Sequence, residues 1–172
     1  EWSFSQLKDA ALTTLNIQKI AMEHGMSLKD STAYNIQFWN GKPVLIDTLS
    51  FEKYKEGEPW VAYKQFCQHF LLPLVLMSYT DIRLSQLFRI YIAGIPVDLE
   101  AKLLPRKTRF KFSIFAHIHL HAKSQKKYED KAIEKKSRIS KFKLLALIDS
   151  LETTVKNLKW NPKGTEWADY YD

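Results

Sequence analysis

Three oxygen-bearing side chains, Asp30, Asn35 and Asp47, are the residues of this 172-residue chain whose types and spacing could do chemistry. Asn35 follows Asp30 by five residues, and Asp47 follows Asn35 by twelve. Carboxylate and amide oxygens are hard donors of the kind that Mg²⁺ takes while it keeps several waters. The same residues are also ordinary turn formers: Asp30 could cap a loop, Asn35 begin a hairpin and Asp47 end it. A metal site and a purely structural role are therefore both open.

A buried helix and a short β-ribbon must bring these three side chains together. Apolar side chains recur at helical spacing in residues 4–24, which predicts the helix. Residues 27–34 form a polar loop that carries Asp30. Residues 35–46 predict a β-hairpin, because two apolar runs are joined by Asn40 and Gly41, which both accept a positive φ.

The rest of the chain predicts further helices. Residues 60–79 are apolar nearly all round, as expected of a central helix, and Pro73 should kink or break it. Residues 140–158 place their leucine, isoleucine and valine side chains on one face and predict another long helix. Shorter helical patterns cover 82–93 and 98–104, and residues 113–122 are ambiguous. The predicted fold class is mainly α with one small β-hairpin (α+β).

Composition excludes several classes of protein. The single cysteine, Cys67, rules out an internal disulfide framework and a thiolate zinc cage, and its apolar setting predicts an inert core thiol. No apolar run approaches the ~20 residues that a bilayer span needs. The five glycines are widely separated, so a glycine-rich phosphate-binding loop is absent.

The segment from Gly25 to Asp47 resembles the catalytic segment of protein-kinase-like and aminoglycoside-phosphotransferase-like folds. In those folds a loop aspartate orients or deprotonates the acceptor hydroxyl. An asparagine five residues later and an aspartate at the end of the next strand bind the metal. The resemblance implies that Asp30 is the catalytic carboxylate, that Asn35 and Asp47 are Mg²⁺ ligands, and that the helical domain is similar to a kinase C-terminal lobe.

This sequence departs from the kinase-like pattern at two places. Leu28-Lys29 stand where the family has His-Arg or His-Gly, and Thr48-Leu49 stand where it has Phe-Gly. The chain also contains no glycine-rich strand turn and no nucleotide-covering lobe before the first helix. We therefore expect kinase-like geometry with a working or vestigial site, and a small-molecule phosphotransferase fragment as an alternative function.

Four longer phrases are similar to the accessory, N-terminal region of bacterial S-adenosylmethionine-dependent methyltransferases related to nodulation proteins. In that family such a region precedes a Rossmann-like methyltransferase domain. The resemblance implies that the parent protein uses S-adenosylmethionine at a site outside these residues. If this holds, we expect the site of Asp30, Asn35 and Asp47 to bind a metal or an unknown small-molecule or sugar-like acceptor and to hand it to the C-terminal methyltransferase domain. The phrases are Phe4-Ser-Gln-Leu-Lys-Asp-Ala-Ala, Asp47-Thr-Leu-Ser-Phe, Glu58-Pro-Trp-Val-Ala-Tyr-Lys-Gln-Phe-Cys-Gln-His-Phe and His119-Leu-His121-Ala-Lys-Ser.

The resemblances suggest how the chain is organised. We expect a helical domain with the hairpin over residues 1–122, a basic connector over 123–139, a C-terminal helix over 140–160 and a linker over 161–172. The two ends of the sequence resemble those of a segment excised from a longer chain, and no secretory signal is evident. We therefore expect a piece of a longer, cytoplasmic protein.

Positive charge is concentrated between residues 101 and 143, which carry a net charge of +11. Such a run could bind nucleic acid, an anionic lipid surface or another polyanion, and a basic binding module is a further alternative function. Few aromatic residues interleave with it and no nucleic-acid reader fold is recognisable, which disfavours nucleic acid and favours a solvated connector. The patch consists of Lys123, Lys126, Lys127, Lys135, Lys136 and Arg138.

His117, His119 and His121 alternate along the ambiguous segment. A metal site is conceivable there, because a strand would place all three on one face. No cysteine or carboxylate lies nearby in sequence, so we favour an amphipathic segment with solvated histidines.

Overall fold

The computed structural model describes residues 2–120 and 138–161, so most of the predicted connector over 123–139 and most of the predicted linker over 161–172 lie outside it. The α-helices of the described part are α1 (Phe4–Glu23), α2 (Tyr63–Phe66), α3 (Leu72–Tyr79), α4 (Leu87–Ile90), α5 (Val97–Leu103), α6 (Phe112–Ile114) and α7 (Lys141–Asn157). The strands are β1 (Met26–Leu28), β2 (Ile36–Trp39), β3 (Lys42–Leu45) and β4 (Phe51–Lys53). The chain is mainly helical, as predicted.

Helix α1 covers the predicted span and is capped at its first turn. Ser3 caps it through a reciprocal pair of bonds with Gln6, and Gly25 follows the end at φ 71°. This capping box satisfies backbone N–H groups that the first turn leaves without partners. Its apolar stripe is buried, with Leu15 and Met22 fully enclosed. The predicted helix is confirmed.

The predicted hairpin is also confirmed, but the structure contains a second two-stranded sheet. Strands β2 and β3 pair antiparallel through a turn in which Asn40 has φ 49° and Gly41 has φ 75°. Strand β1 pairs antiparallel with β4, and these two strands precede and follow the hairpin along the chain. The expectation of a single hairpin is therefore wrong. Three-residue strands that pair across more than 20 residues carry no local periodic signal.

The central helix runs through Pro73 without breaking. Between α2 and α3, residues Cys67–Leu71 form a π turn, and the Leu72 N–H donates to the Cys67 carbonyl five residues back. Proline has no N–H to offer the carbonyl of the preceding turn, and the wider π turn accommodates this defect. Phe66 and Phe70 are fully buried here, so this helix forms the centre of the core.

Helix α7 packs against α1 through both apolar and polar contacts. Lys19 on α1 forms ion pairs with Asp149 and Glu152, and the Lys8 ammonium donates to the carbonyls of Lys156 and Leu158. The predicted C-terminal helix thus lies against the first one. None of the helices in the described ranges is both long and apolar enough to cross a bilayer.

Candidate functional site

The pairing of β1 with β4 brings the Asp30 loop beside the end of the hairpin. Asp30 follows β1 almost directly, and Ser50 immediately precedes β4. The Lys29 N–H donates to the Ser50 carbonyl at 2.8 Å, which joins the two segments. The second sheet therefore positions the candidate residues relative to one another.

A buried serine joins two of the three predicted residues. The Asn35 amide donates to the Ser50 hydroxyl at 2.9 Å, and that hydroxyl donates to Asp47 Oδ2 at 2.7 Å. Ser50 is 1% exposed and was missed in the sequence. The available signal was its position three residues after Asp47, where a hydroxyl can reach a capping carboxylate.

Asp47 is held in its ionised form. The Ser50 hydroxyl and the Leu49 N–H both donate to its carboxylate, and the positive charge of Lys29 acts in the same direction. These contacts lower the pKa of Asp47, because they stabilise the anion. The site therefore carries a negative charge at neutral pH.

Asp30 lies near this pair but is not bonded to it. Its Oδ1 accepts from the Thr32 N–H at 2.9 Å, and within the described chain no hydrogen bond joins it to Asn35 or Asp47. Each of the three residues also makes the contacts of an ordinary turn former. Asp30 closes a local turn, Asp47 caps a 3₁₀ helix, and the Asn35 carbonyl accepts a hydrogen bond from the Ile46 N–H. Asn35 and Asp47 are brought together through Ser50, and the loop that carries Asp30 is joined to them through the backbone bond from Lys29 to Ser50.

Bonds from the core fix the loop that carries Asp30. The Leu28 N–H donates to Gln18 Oε1 at 2.7 Å, and the Leu28 carbonyl accepts from the Trp60 indole at 2.8 Å. On the other side, the Ser31 N–H donates to Gln65 Oε1 and its hydroxyl donates to the Ala62 carbonyl. Asp30 therefore sits between two anchored residues.

Asn35 and Asp47 offer oxygen donors of the chemical type that Mg²⁺ takes. The Asn35 amide uses its nitrogen toward Ser50, which leaves its oxygen as a hard donor, and Asp47 is anionic. No group of three or more histidine, cysteine, aspartate or glutamate side chains able to hold a metal occurs among the described residues. A Mg²⁺ ion here would complete its coordination with water or phosphate oxygens, as this ion usually does.

A largely apolar cleft of about 350 Å³ adjoins the segment that carries Asn35. Its lining is mostly aromatic and aliphatic, and Gln37, Ser85 and Arg89 contribute polar side chains to it. Clefts of this size and composition are typical of small-molecule sites. The lining residues are Trp2, Leu7, Ala33, Tyr34, Ile36, Gln37, Met77, Ser85, Phe88 and Arg89.

His69, which sequence reasoning did not single out, is buried close to Asp30. It is 1% exposed, its ring bonds the Ala93 carbonyl, and its Nδ1 has no hydrogen-bond partner among the residues that the structure describes. The rings of Tyr34 and Phe88 pack against it. Burial lowers its pKa, and the Ala93 bond and the negative charge of Asp30 oppose that shift only in part.

Folding stability should therefore fall as pH drops below about 6.5, the ordinary pKa of histidine. In that range the unfolded chain binds a proton at His69 that the folded chain does not bind. The free energy of unfolding therefore falls by up to about 1.4 kcal/mol for each pH unit. Urea unfolding at pH 7.5 and pH 5.5 measures the loss. The His69→Gln variant keeps a donor for Ala93 but cannot titrate, so its loss should be smaller. Equal losses in the two proteins would contradict the assignment.

His117 contradicts the expectation of solvated histidines. It is 4% exposed, its Nδ1 lies 2.8 Å from the Tyr63 hydroxyl, and its Nε2 lies 3.1 Å from the Ser150 hydroxyl. The π turn over Phe115–Leu120 directs this side chain inward, where hydroxyls satisfy both ring nitrogens. Cys67 is buried, as predicted, and His121 lies outside the described residues.

Of the predicted basic patch, only Arg138 lies within the described residues, and it is exposed. Lys123, Lys126, Lys127, Lys135 and Lys136 fall outside them. The patch therefore stays a prediction.

The described residues define a mainly helical domain in which two small antiparallel sheets hold a carboxylate and amide site. No family model and no solved structure matches this chain. The likeness to a kinase C-terminal lobe thus stays a prediction.

The chain is 36% identical, over 176 aligned residues, to the nodulation protein NoeA of Rhizobium meliloti (strain 1021). The match covers 99% of this chain and 37% of NoeA, so the chain spans little more than a third of its curated relative. The predicted relation to nodulation proteins is confirmed.

Proposed function

We propose that this chain is the acceptor-handling, accessory domain of a nodulation-related, S-adenosylmethionine-dependent methyltransferase. Its likeness to NoeA over almost all of its length supports the nodulation relation. The methyltransferase activity and the S-adenosylmethionine site are assigned to the parent protein, on the resemblance of the four sequence phrases. Its partner would be the C-terminal methyltransferase domain of the parent protein.

The observation that carries the acceptor-handling role is the bond chain from Asn35 through Ser50 to Asp47 beside the Asp30 loop. An anionic carboxylate and an amide oxygen can hold Mg²⁺ or accept hydrogen bonds from sugar-like hydroxyls. The neighbouring apolar cleft offers room for the body of a small molecule. We propose that the acceptor binds to the Asn35 and Asp47 site and to the cleft at the same time.

Calorimetry with Mg²⁺ alone and with Mg²⁺ and ATP tests the site. We expect heat of binding from the chain, with an affinity that falls at least about tenfold in Asp47→Asn because the charge of the donor is lost. Asp81→Asn is the matched control: Asp81 also caps a 3₁₀ helix and its partner Arg83 lowers its pKa to about 2, but it is not among the candidate site residues. No heat from the unaltered chain, or an equal loss in both variants, would leave only a scaffold role.

A second candidate is a small-molecule phosphotransferase whose nucleotide-covering part lies elsewhere in the parent protein. The β1–β4 pairing favours it, because it sets the Asp30 loop beside Asn35 and Asp47, as the kinase-like resemblance requires. ATP consumption by the parent protein that disappears in Asp30→Ala would support this candidate. Methyl transfer without ATP consumption would oppose it.

A further inference from the structure

Two phenylalanine side chains project into solvent from a basic turn formed by residues 106–112. Phe110 is 91% exposed and Phe112 is 86% exposed. Isolated exposed apolar residues are common on protein surfaces, but two large exposed aromatic residues two positions apart in a basic turn indicate a binding surface. Four cations flank them within the same seven residues: Arg106, Lys107, Arg109 and Lys111.

The turn is anchored to the core on its inner side. Arg106–Phe110 form a 3₁₀ helix that follows Pro105, and Thr108 within it is fully buried. Both the N–H and the hydroxyl of Thr108 donate to the Pro105 carbonyl, at 3.0 and 2.7 Å. The buried threonine therefore holds the other side chains of the turn outward.

The charges on the turn are available to a partner. Across the described ranges no carboxylate pairs with Arg106, Lys107 or Arg109. The Lys111 ammonium lies 5.2 Å from the centre of the Tyr79 ring, which leaves it cationic. The surrounding sequence, residues 101–143, is itself strongly positive and adds to the attraction for an anionic surface.

We propose that residues 106–112 dock this protein on an anionic lipid bilayer. The two phenyl rings enter the boundary between headgroups and acyl chains, and the guanidinium and ammonium groups meet the lipid phosphates. Exposed aromatic rings among lysine and arginine side chains are the combination that binds such interfaces. Nucleic acid is a poorer fit, because single strands need a basic groove lined with stacking platforms, and these rings protrude instead.

Vesicle co-sedimentation of the 172-residue chain tests the proposal. We expect binding to vesicles that contain phosphatidylglycerol, little binding to phosphatidylcholine alone, and release as salt is raised. Phe110→Ser with Phe112→Ser should reduce the partition coefficient at least about tenfold, and Arg106→Gln or Arg109→Gln about fivefold each. Trp39→Ser is the matched control, because Trp39 is 73% exposed beside Lys42 at the hairpin and should change little.

Circular dichroism and the urea midpoint establish that each variant is folded. Equal binding to both vesicle types, or binding that survives the double phenylalanine change, would overturn the proposal. Duplex DNA binding that falls with the same changes would assign the turn to nucleic acid. A dimer in size-exclusion chromatography that the double change dissolves would assign it to a second copy of the chain. Either result would also overturn the bilayer proposal.

Discussion

Replacing Gly94 with alanine should remove about 3–5 kcal/mol of folding stability, much of what a domain of this size possesses. Gly94 has φ 99°, a conformation that side chains with a Cβ rarely adopt. A Cβ there would lie 2.7 Å from the Gln68 Cβ and 3.1 Å from the His69 ring. Both neighbours belong to the buried π turn, and neither can move aside without displacing the central helix.

Gly25→Ala is the control for the backbone contribution alone. Gly25 also has a positive φ, of 71°, but nothing lies within 4 Å of the Cβ that would be added. Its replacement should cost only the conformational penalty of about 1–2 kcal/mol. Urea unfolding of the two variants measures the difference. Equal destabilisation would show that the contact between Gly94 and the π turn contributes nothing.

Replacing Gln18 with leucine should destabilise the fold by about 2–4 kcal/mol and loosen the Asp30 loop. Gln18 is fully buried; its amide donates to the Ser27 hydroxyl at 3.0 Å and accepts from the Leu28 N–H at 2.7 Å. Leucine has a similar volume but leaves both groups buried without this partner. The loss should therefore come from unmade hydrogen bonds more than from packing.

Thr14→Val is the matched control on the same helix, since within the described ranges the buried Thr14 hydroxyl bonds the Ala10 carbonyl of its own helix and no other group. We expect it to cost about 1 kcal/mol. Hydrogen exchange at the Leu28 amide separates the local effect from the global one. Faster exchange there in Gln18→Leu, beyond what the fall in global stability explains, is the expected result. Unchanged relative protection would mean that Gln18 does not hold the loop.

These two positions also differ in what sequence could say about them. The sequence predicts a helix over 82–93, directly before Gly94, and the structure there is a 3₁₀ helix, Ile82–Gln86, followed by α4. The close approach of Gly94 to His69 depends on residues more than 20 positions away. In the sequence, Gln18 is one of several polar residues of a predicted helix, and nothing distinguishes it from the others. Its role exists only because β1 passes beside it.

The candidate site shows the same division. The residues Asp30, Asn35 and Asp47 were found from their type and spacing, and local chemistry set the hairpin that separates two of them. Ser50, which joins Asn35 to Asp47, and His69, which lies beside Asp30, were not found. Both act through contacts made after the chain has folded, and such contacts have no periodicity to detect.

The sequence by itself determined α1, the Asn40-Gly41 hairpin and α7, because each depends on interactions between residues a few positions apart. Only the tertiary structure decided the β1–β4 sheet and the burial of His117. These follow from which surfaces meet when the core closes, and the free energy of that packing overrides weak local preferences. The position of Asp30 beside Asn35 and Asp47 is therefore a product of the fold, although the three residues are legible in the sequence.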